Sequence, residues 1–493
     1  MTSLFTPEAL LERLAPLGAV PRYWIAYSGG LDSSVLLDAF AAIRERLAGE
    51  DSSDRLMAVH VDHGLQAASA DWAEHCAAHC AALNIRLRIE RPTSAPNPGG
   101  SLEAWAREAR YASFRRLLAP GDLLLTAQHR DDQAETLLLA LLRGSGPHGL
   151  AAMPVVAPLG AGRLVRPLLD FSRQALVDYA YRRELDWIED PSNDHTAFDR
   201  NYLRHRVLPL LRARWPSADA TLSRSARHCA EAAELVDQYA VRSLAEARGA
   251  RPGALSLAAL ARLDRPLRKA VVRLWLVERG FRLPDTRHLD RLLDELPAAR
   301  DDANPCVAWS GCEVRRYRGD MLACRPLPPL PSETCILWRI TGEHGILELP
   351  AGFGRLEWRR HPGSGSSEAP PTPMRDLDTA PSCKGAMKAV ELRVRFGRLG
   401  DSCRSAANRP RRALKKRFQE AGVPVWLRGR LPLIFQGERL IAIAGVGVCH
   451  GPADGIGLSL ILSWSGFSWE PDWPGLRRSL NVCVPADTGA GKA

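Results

Sequence analysis

Several features are missing from the sequence, and each absence excludes a class of protein. No stretch of about eighteen apolar residues occurs, so the sequence predicts no membrane-spanning helix. The eleven cysteines are scattered and form no Cys-x-x-Cys pair, which argues against a disulfide framework and against a zinc ribbon. The first residues lack a charged and then apolar targeting segment, and we therefore expect a cytoplasmic protein.

Basic residues outnumber acidic ones, and their excess is concentrated late in the chain. The 493 residues include 66 Lys or Arg and 56 Asp or Glu, and the net charge of +10 favours a polyanionic partner such as nucleic acid. Residues 388–430 contain thirteen Lys or Arg and three acids. We predict an RNA-backbone surface on a helix at 411–420, with a merely solvated helix as the alternative. Its basic residues are Arg411, Arg412, Lys415 and Lys416.

A turn that contains two glycines lies between a predicted strand at 22–27 and a predicted helix at 35–43. Gly29 and Gly30 allow a ligand close to the backbone, and the first N–H groups of a helix attract anions. The turn therefore predicts a phosphate site, although no Gly-Lys-Ser/Thr ends it as in a Walker A loop. Asp32 could cap the helix or hold Mg²⁺ on the phosphates. This cradle consists of Ser28, Gly29, Gly30, Leu31, Asp32 and Ser33.

Strands and helices alternate through the first part of the chain. Further strands are predicted at 55–61, 85–90 and 122–127, and helices at 69–83, 102–118 and 131–142. This alternation predicts an α/β fold with a doubly wound parallel sheet. Polar clusters follow the second and fourth strands, with His60, Asp62 and His63 in one and His129 in the other. Since ligands bind at the carboxyl ends of parallel strands, we expect these clusters to share one site with the cradle.

Two carboxylates and several arginines complete this set of candidate residues. Asp132 and Glu135 are three residues apart near a helix start, so they could hold a metal ion or an ammonium group; helix capping is the alternative. Arg200 and Arg204 lie four residues apart on a predicted basic helix, which suits a phosphate backbone. Arg143 begins a glycine-rich loop that we expect to be mobile over the site, and it could reach a phosphate.

The length of the chain predicts two to four domains. We expect a catalytic domain at 1–216, a mainly helical domain at 217–325 and a small basic α+β domain at 389–465. Between the last two lies a β-like stretch that ends in a linker rich in Pro, Ser and Gly, together covering residues 326–388. Residues 466–493 are expected to form a tail.

The motifs, in this order, resemble one family closely. The turn at 28–33 is similar to the PP-loop of the ATP pyrophosphatase superfamily, and the complete set resembles tRNA(Ile)-lysidine synthetases. The resemblance covers most of residues 20–325 and 390–450. The stretches that carry it are 28–33, 60–65, 129–136, 143–150, 166–169, 189–193, 200–204, 414–416 and 423–428.

The resemblance implies a reaction and its partners. ATP would adenylate the 2-carbonyl oxygen of the wobble cytidine in an isoleucine tRNA with a CAU anticodon, releasing pyrophosphate. The ε-amine of free L-lysine would then attack that carbon and expel AMP, which yields lysidine and changes decoding from AUG to AUA. ATP and Mg²⁺ are the implied cofactors, and a homodimer is compatible with the family.

The resemblance also implies roles for individual residues. The cradle would take the pyrophosphate, with Asp32 as the link to Mg²⁺. Asp132 and Glu135 would bind the cationic lysine, and Arg204, with Arg200, would hold the cytidine or its phosphate. The predicted catalytic residues are therefore Asp32, Asp132, Glu135 and Arg204. Those expected to bind ATP beyond the cradle are His60, Asp62, His63 and His129, and those expected to contact RNA are Arg143, Arg200, Asn201, Arg411, Arg412, Lys415 and Lys416.

Three other functions are alternatives to this one. A tRNA cytidine thiolase of the same superfamily would normally bring paired cysteines, which this sequence lacks. An amide-forming synthetase would bring an ammonia source, and no glutaminase-like Cys/His set is visible. A non-catalytic RNA-binding protein with a degenerate nucleotide fold is disfavoured, because the carboxylates at 32, 132 and 135 are intact.

Overall fold

The computed structural model describes most of the chain. The described residues are 4–48, 55–64, 69–92, 102–191, 195–300, 303–330, 335–360, 390–397, 400–404, 409–450, 457–467 and 479–485. The linker expected at 361–388 lies outside them, as do Leu65, Ser192 and Asn193 of the matched motifs. The chain divides into two compact units, Met1–Leu235 and Val236–Ala493.

The first unit alternates strands with helices, as predicted. Its strands are β1 Tyr23–Ala26, β2 Leu56–Val61, β3 Arg86–Glu90, β4 Leu123–Leu125, β5 Val156–Leu159 and β6 Gly162–Val165. Its helices are α1 Pro7–Leu14, α2 Leu31–Ala48, α3 Ser69–Ala82, α4 Leu102–Leu117, α5 Arg130–Leu142, α6 Pro147–Leu150, α7 Arg173–Arg182, α8 Asp199–Tyr202, α9 Leu208–Arg214 and α10 Ala218–Glu246, which contains the division. A 3₁₀ turn covers Ala15–Leu17, and a π-helical turn, Leu203–Val207, joins α8 to α9.

The six strands form one sheet in the order β3-β2-β1-β4-β6-β5. All neighbours are parallel except β5, which forms an antiparallel hairpin with β6. The predicted doubly wound parallel sheet is therefore confirmed, and the hairpin at its edge is an addition that the sequence did not predict. Because the chain runs from β1 outward to β3 and then returns to β4, the order of strands reverses between β1 and β4. Such a reversal is where open α/β sheets bind ligands.

Apolar residues cover both faces of the sheet, as parallel sheets require. Tyr23 and Ile25 of β1 pack into a core cluster with residues of α1, α2 and α7, whereas Trp24 lies in a second cluster with Phe114 of α4. Consecutive strand residues point to opposite faces, so this alternation fixes the orientation of β1. The loop that follows β1 is thereby held at the edge of the sheet.

The second unit combines short helices with antiparallel sheets. Its helices are α11 Leu257–Ala261, α12 Arg265–Glu278, α13 Thr286–Ala298, α14 Leu414–Glu420 and α15 Val425–Arg428. Its strands are β7 Leu255–Ser256, β8 Cys306–Trp309, β9 Cys312–Tyr317, β10 Asp320–Cys324, β11 Ile336–Ile340, β12 His344–Glu348, β13 Arg355–Arg360, β14 Val390–Arg395, β15 Ser402–Cys403, β16 Arg412–Ala413, β17 Leu433–Gln436, β18 Arg439–Ile443, β19 Gly447–Val448, β20 Gly457–Ser465 and β21 Leu480–Pro485.

These strands form four sheets within the second unit. Their orders are β7-β10-β9-β8, β11-β14-β17-β18-β19, β12-β13-β20-β21 and β15-β16. Residues 480–485, in the stretch expected to be a tail, form β21 and pair with β20. The pairing follows from alternating burial, since Val482 and Val484 face the core while Asn481 is exposed.

Candidate functional site

The predicted cradle forms a compact turn between β1 and α2. Gly29 has a φ of +85°, a conformation that favours glycine. The Ser28 N–H donates to Ser33 Oγ at 3.2 Å, and that hydroxyl donates to the Gly30 carbonyl at 2.9 Å. Helix α2 begins at Leu31, so its first N–H groups, which have no partner within the helix, lie at this turn. The turn and the helix start together offer the donors that a phosphate needs.

Gly29 is also fixed by close neighbours. A Cβ atom on Gly29 would lie 2.5 Å from Ile188 Cδ1 and 3.0 Å from Cys76 Sγ. The Ile188 N–H donates to the Gly29 carbonyl at 2.8 Å. The segment after α7 therefore braces the turn from one side, and this close approach together with the positive φ favours glycine at this position.

The loops that follow β1 and β4 meet at the reversal of strand order. His129 precedes α5, and its Nε2 atom lies 3.5 Å from Asp32 Oδ2 and 3.4 Å from Asp132 Oδ2. The His129 N–H also donates to Asp132 Oδ2 at 3.0 Å. One imidazole, 1% exposed, thus links the first turn of α2 to the first turn of α5. These distances bring the polar cluster after β4 beside the cradle.

The charges around His129 stabilise its protonated form. Burial alone would lower the pKa of His129, but the carboxylates of Asp132, Asp32 and Asp131 raise it to about 9. Burial opposes ionisation of Asp32 in the same way, yet the hydrogen bond and charge of His129, with the charges of Arg173 and Arg204, hold the pKa of Asp32 below its usual value. The site therefore contains an imidazolium beside an ionised carboxylate.

Glu135 and Asp132 lie together on α5 and are bound by two arginines. Glu135 has no exposed surface; Arg200 Nε donates to its Oε2 at 2.8 Å, and Arg204 Nε donates to its Oε1 at 2.6 Å. Arg204 Nη2 reaches Glu135 Oε2 at 3.0 Å and Asp132 Oδ1 at 3.1 Å. Burial lowers the pKa of Arg204, but the hydrogen bond and charge of Glu135 outweigh it and raise the pKa overall. The four side chains form one cluster.

The cluster after β2 lies beside the cradle through His60 only. His60 Nδ1 lies 3.0 Å from the Tyr27 carbonyl, and burial lowers the pKa of this histidine. Asp62 instead accepts hydrogen bonds from the Gly64 N–H at 2.9 Å and from Arg91 Nε at 3.2 Å. The His63 ring packs edge-on against Trp105 at 6.0 Å. Asp62 and His63 thus have contacts of their own in the protein, and their role toward ATP stays a prediction.

Arg143 and Asn201 lie at the periphery of the arginine and carboxylate cluster. Arg143 ends α5 and is within 3.9 Å of Asp199, with both side chains mostly exposed. The Asn201 side chain donates to the His195 carbonyl at 3.0 Å. The roles of Arg143 and Asn201 as RNA contacts remain predictions. The glycine-rich loop also contains a short helix, α6, which begins at Pro147 because proline is tolerated in a first helical turn.

The predicted basic helix at 411–420 begins later than expected. Arg412 belongs to β16, which pairs with Ser402–Cys403, and α14 starts at Leu414. Leu414 and Phe418 are buried, whereas Arg411, Lys415 and Lys416 are exposed. The extended pairing of β16 outcompetes the first helical turn here. The basic side chains nevertheless remain accessible to a polyanion.

Two structural residues received no role from the sequence. Ile188 braces the cradle, and Arg212 joins Asp131 at the start of α5 to Asp219 in α10 through bonds of 2.7 Å each. The contacts of Ile188 with Gly29 and of Arg212 with Asp131 join residues far apart in sequence, and no periodicity points to them. For the contact of Ile188 with the cradle, the sequence offers only a weak signal, which is the apolar pair Trp187-Ile188 ahead of an acidic stretch.

The described part of the chain shows no ready-made metal centre and no membrane helix. No group of three or more His, Cys, Asp or Glu residues within it is arranged to hold a metal ion. Cys76 and Cys80 of α3 are buried in the core of the first unit. None of the described helices is both long and apolar enough to cross a membrane.

A glycine-containing turn before a helix, at the reversal of strand order in a parallel sheet, is the arrangement expected of a PP-loop enzyme, a class that uses ATP. A family model described as a PP-loop domain matches residues 8–211. Models described as the TilS substrate binding domain and the TilS substrate C-terminal domain match residues 255–322 and 392–461. All three matches fall on regions where the sequence resembled the family.

Curated relatives agree with these matches over nearly the whole chain. A tRNA(Ile)-lysidine synthase from Coxiella burnetii is 40% identical over 91% of this chain and 94% of its own length. One from Pseudomonas aeruginosa is 41% identical over 94% of this chain and 97% of its own length. The chain belongs to the tRNA(Ile)-lysidine synthase family, and it is a ligase with a PP-loop ATP-binding domain. The predicted resemblance is therefore confirmed.

Proposed function

We propose that this chain joins L-lysine to the 2-position of the wobble cytidine in CAU-anticodon tRNA(Ile), at the expense of ATP. Family membership supports the reaction class and the tRNA. The observation that carries the proposal is the single site formed by the phosphate cradle, His129 and the two carboxylates of α5. A nucleotide and a cationic amino acid can be bound side by side there.

Asp32 suits a magnesium ion carried by ATP. Its Oδ1 atom is buried and accepts no hydrogen bond among the described residues, and its carboxyl stays ionised. Mg²⁺ is usually held by one or two carboxylates together with substrate phosphates, so a lone oxygen beside the cradle fits that chemistry. When bound, the ion would neutralise charge on the phosphates. His129 would hold the Asp32 carboxylate in place.

The reaction proceeds in two displacements. The 2-carbonyl oxygen of cytidine attacks the α-phosphorus of ATP, and pyrophosphate leaves toward the cradle. The lysine ε-amine then attacks C2, and AMP leaves with the electron pair of the C–O bond. Asp132 and Glu135 bind the ε-ammonium of lysine. One of these two carboxylates accepts the proton that the nitrogen loses. Arg204 and Arg200 hold the cytidine or its phosphate.

The remaining predicted contacts hold the tRNA. Asn201 follows Arg200 in the sequence, and Arg143 lies within 3.9 Å of Asp199, the residue before Arg200. In the second unit, positive charge is provided by Arg411, Arg412, Lys415 and Lys416. A cytoplasmic location is part of the proposal, because tRNA and free lysine meet there. A homodimer stays a prediction from the family resemblance.

The test is AMP release from labelled ATP with purified protein and CAU-anticodon tRNA(Ile). We expect release that needs lysine, with label passing from lysine to tRNA, and no turnover when arginine replaces lysine. Asp132→Asn combined with Glu135→Gln should lower the rate by at least about 100-fold, since general acid–base and binding contributions are lost together. Asp178→Asn, at an exposed carboxylate of α7, is the matched control.

Two outcomes would contradict the proposal. Full activity in the double variant would remove the carboxylates from the mechanism. AMP release that ignores lysine but needs a sulfur donor would indicate thiolation instead.

A further inference from the structure

The proposed lysine site is already occupied by the protein's own cations. Glu135 accepts three hydrogen bonds from Arg200 and Arg204, and Asp132 Oδ1 accepts a fourth from Arg204. Asp132 Oδ2 is taken by the His129 N–H. A lysine ammonium has three donors and no acceptor, so it needs these same carboxylate oxygens. Lysine and the arginines are therefore competitors for one set of acceptors.

Access to the carboxylates depends on the arginines. Glu135 has no exposed surface, whereas the side chains of Arg200 and Arg204 are 30% and 29% exposed. The two guanidinium groups hold both oxygens of the buried carboxylate, while each arginine side chain is partly exposed. An ammonium cannot contact Glu135 unless at least one arginine leaves. Leaving Glu135 ionised and unpaired would be strongly unfavourable. The departure of an arginine from Glu135 and the binding of lysine must therefore be coupled.

The arginines have a second class of partner available. A guanidinium binds phosphate as well as carboxylate through paired N–H groups. Arg200 is additionally held by Thr136 Oγ1 at 2.9 Å, and it lies on α8, three residues before the π-helical turn that begins at Leu203. Arg204 lies within that turn. A π-helical turn is a local change of helical register and is frequent at functional sites, which suits a segment that shifts between two partners.

We propose, on the basis of the function proposed above, that Arg200 and Arg204 close the lysine site in the ligand-free protein and open it by transferring to a phosphate. The phosphate belongs to ATP or to the tRNA backbone. Lysine and the phosphate ligand then bind cooperatively, because the arginines leave the carboxylates only as both ligands bind. The device keeps free lysine out until the group that it must attack is in place.

The coupling is reciprocal and can be measured as lysine affinity. Calorimetry on the full-length protein would compare lysine binding alone, with Mg²⁺ and α,β-methylene-ATP, with tRNA(Ile), and with both. We expect the lysine dissociation constant to fall at least about tenfold when a phosphate ligand that opens the site is present, within the usual range of coupling energies. The two single-ligand arms show which source of phosphate releases the arginines.

Variants separate the closing contact from general charge. Arg200→Met should strengthen lysine binding to the ligand-free protein several-fold and shrink the coupling, because Glu135 Oε2 loses one competitor. Thr136→Val should act in the same direction but less, since it removes only a support of Arg200, and it leaves every charge in place. Arg214→Met removes an exposed arginine of α9 that stacks on Trp215 and should change neither quantity.

Each result decides the inference. Equal lysine affinity in all four arms, together with unchanged affinity in Arg200→Met and Thr136→Val, would overturn it while leaving the proposed function intact. Absence of lysine binding in every arm would overturn the proposed function and this inference with it. The comparison of arms uses the unaltered protein, so it holds even if a variant does not fold.

Discussion

Glu135 shows how strongly a single residue is committed to the site. It has no exposed surface, yet its negative charge is matched by two guanidinium groups. Burying an ion costs several kcal/mol, and a well-paired buried ion often does no better than an apolar residue of the same size. Stability therefore gives no reason for a glutamate at this position. The binding of a substrate ammonium proposed above would give one.

His63 provides a pH-dependent test at the scale of one residue. Neither ring nitrogen has a hydrogen-bond partner among the described residues, and burial, with the nearby charge of Arg110, lowers its pKa to about 4. The unfolded chain takes up a proton near pH 6.5, whereas the folded chain takes it up only near pH 4. This histidine therefore supports the fold fully above about pH 6.5, and its contribution is lost as the pH falls toward 4.

The expected result is a difference in slope between two proteins. In ATP-free buffer, the urea midpoint of the wild type should fall more steeply from pH 6.5 to pH 4 than that of His63→Gln. An NMR titration of the folded wild type should place the midpoint of the His63 ring near pH 4. Parallel urea curves, or a ring that titrates near pH 6.5, would refute this account of His63.

At the scale of an element, the turn between β1 and α2 depends on Gly29 for two separate reasons. Its φ is positive, and a Cβ would lie 2.5 Å from Ile188 Cδ1. Gly29→Ala should therefore displace either the turn or the segment that braces it. Backbone strain of this kind costs about 1–2 kcal/mol, and the steric contact adds to it.

We expect Gly29→Ala to weaken ATP binding at least about tenfold, which corresponds to about 1.4 kcal/mol. Gly18→Ala is a matched control, because Gly18 also has a positive φ, of +74°, but no atom lies within 4 Å of its Cβ position. It should lower stability and leave ATP affinity unchanged. Equal losses of ATP affinity in both variants would show that the crowding by Ile188 is irrelevant. Equilibrium binding of a labelled ATP analogue gives the measurement.

Elements were predictable wherever local pattern decides them. The run 22–27 is apolar and the glycines at 29 and 30 interrupt it, so the order strand, turn and helix follows from the sequence alone. The contact between Arg200 and Glu135 does not follow from the sequence, because a charge pair between residues 65 positions apart leaves no periodic pattern. The spacing of Arg200 and Arg204 predicted one shared face, and both do bind Glu135. Their predicted binding of the cytidine or its phosphate stays a prediction.

Other elements differ from expectation for reasons of packing. The π-helical turn at Leu203–Val207 alters a helix that sequence spacing predicted as regular. Arg412 pairs in β16 instead of opening a helix, since Cys403 on the neighbouring strand supplies an extended partner. Local propensity is weak against such tertiary contacts.

At the scale of the whole molecule, positive charge is distributed unevenly. The net charge is +10, and residues 388–430 alone contribute an excess of ten, from thirteen basic and three acidic residues. The rest of the chain is therefore close to neutral. Such a distribution favours a polyanion bound through the second unit, with affinity that depends on salt. Arg412 is partly occupied by Glu420, which leaves Lys415 and Lys416 as the more available cations of α14.

Replacing Lys415 and Lys416 by glutamate should therefore weaken tRNA binding and flatten its salt dependence. Each phosphate contact contributes about 0.7–0.9 to the steepness of log affinity against log salt, so losing two contacts should make the slope shallower by roughly 1.4 to 1.8. The fold should persist, because Leu414 and Phe418 supply the buried face of α14. Lys415→Arg with Lys416→Arg keeps both charges and should preserve the slope, since backbone phosphates respond to charge more than to side-chain shape. Filter binding of tRNA(Ile) over a salt series gives the affinity and its salt dependence for the wild type and both variants. An unchanged slope in the glutamate variant would place the tRNA contact elsewhere in the molecule.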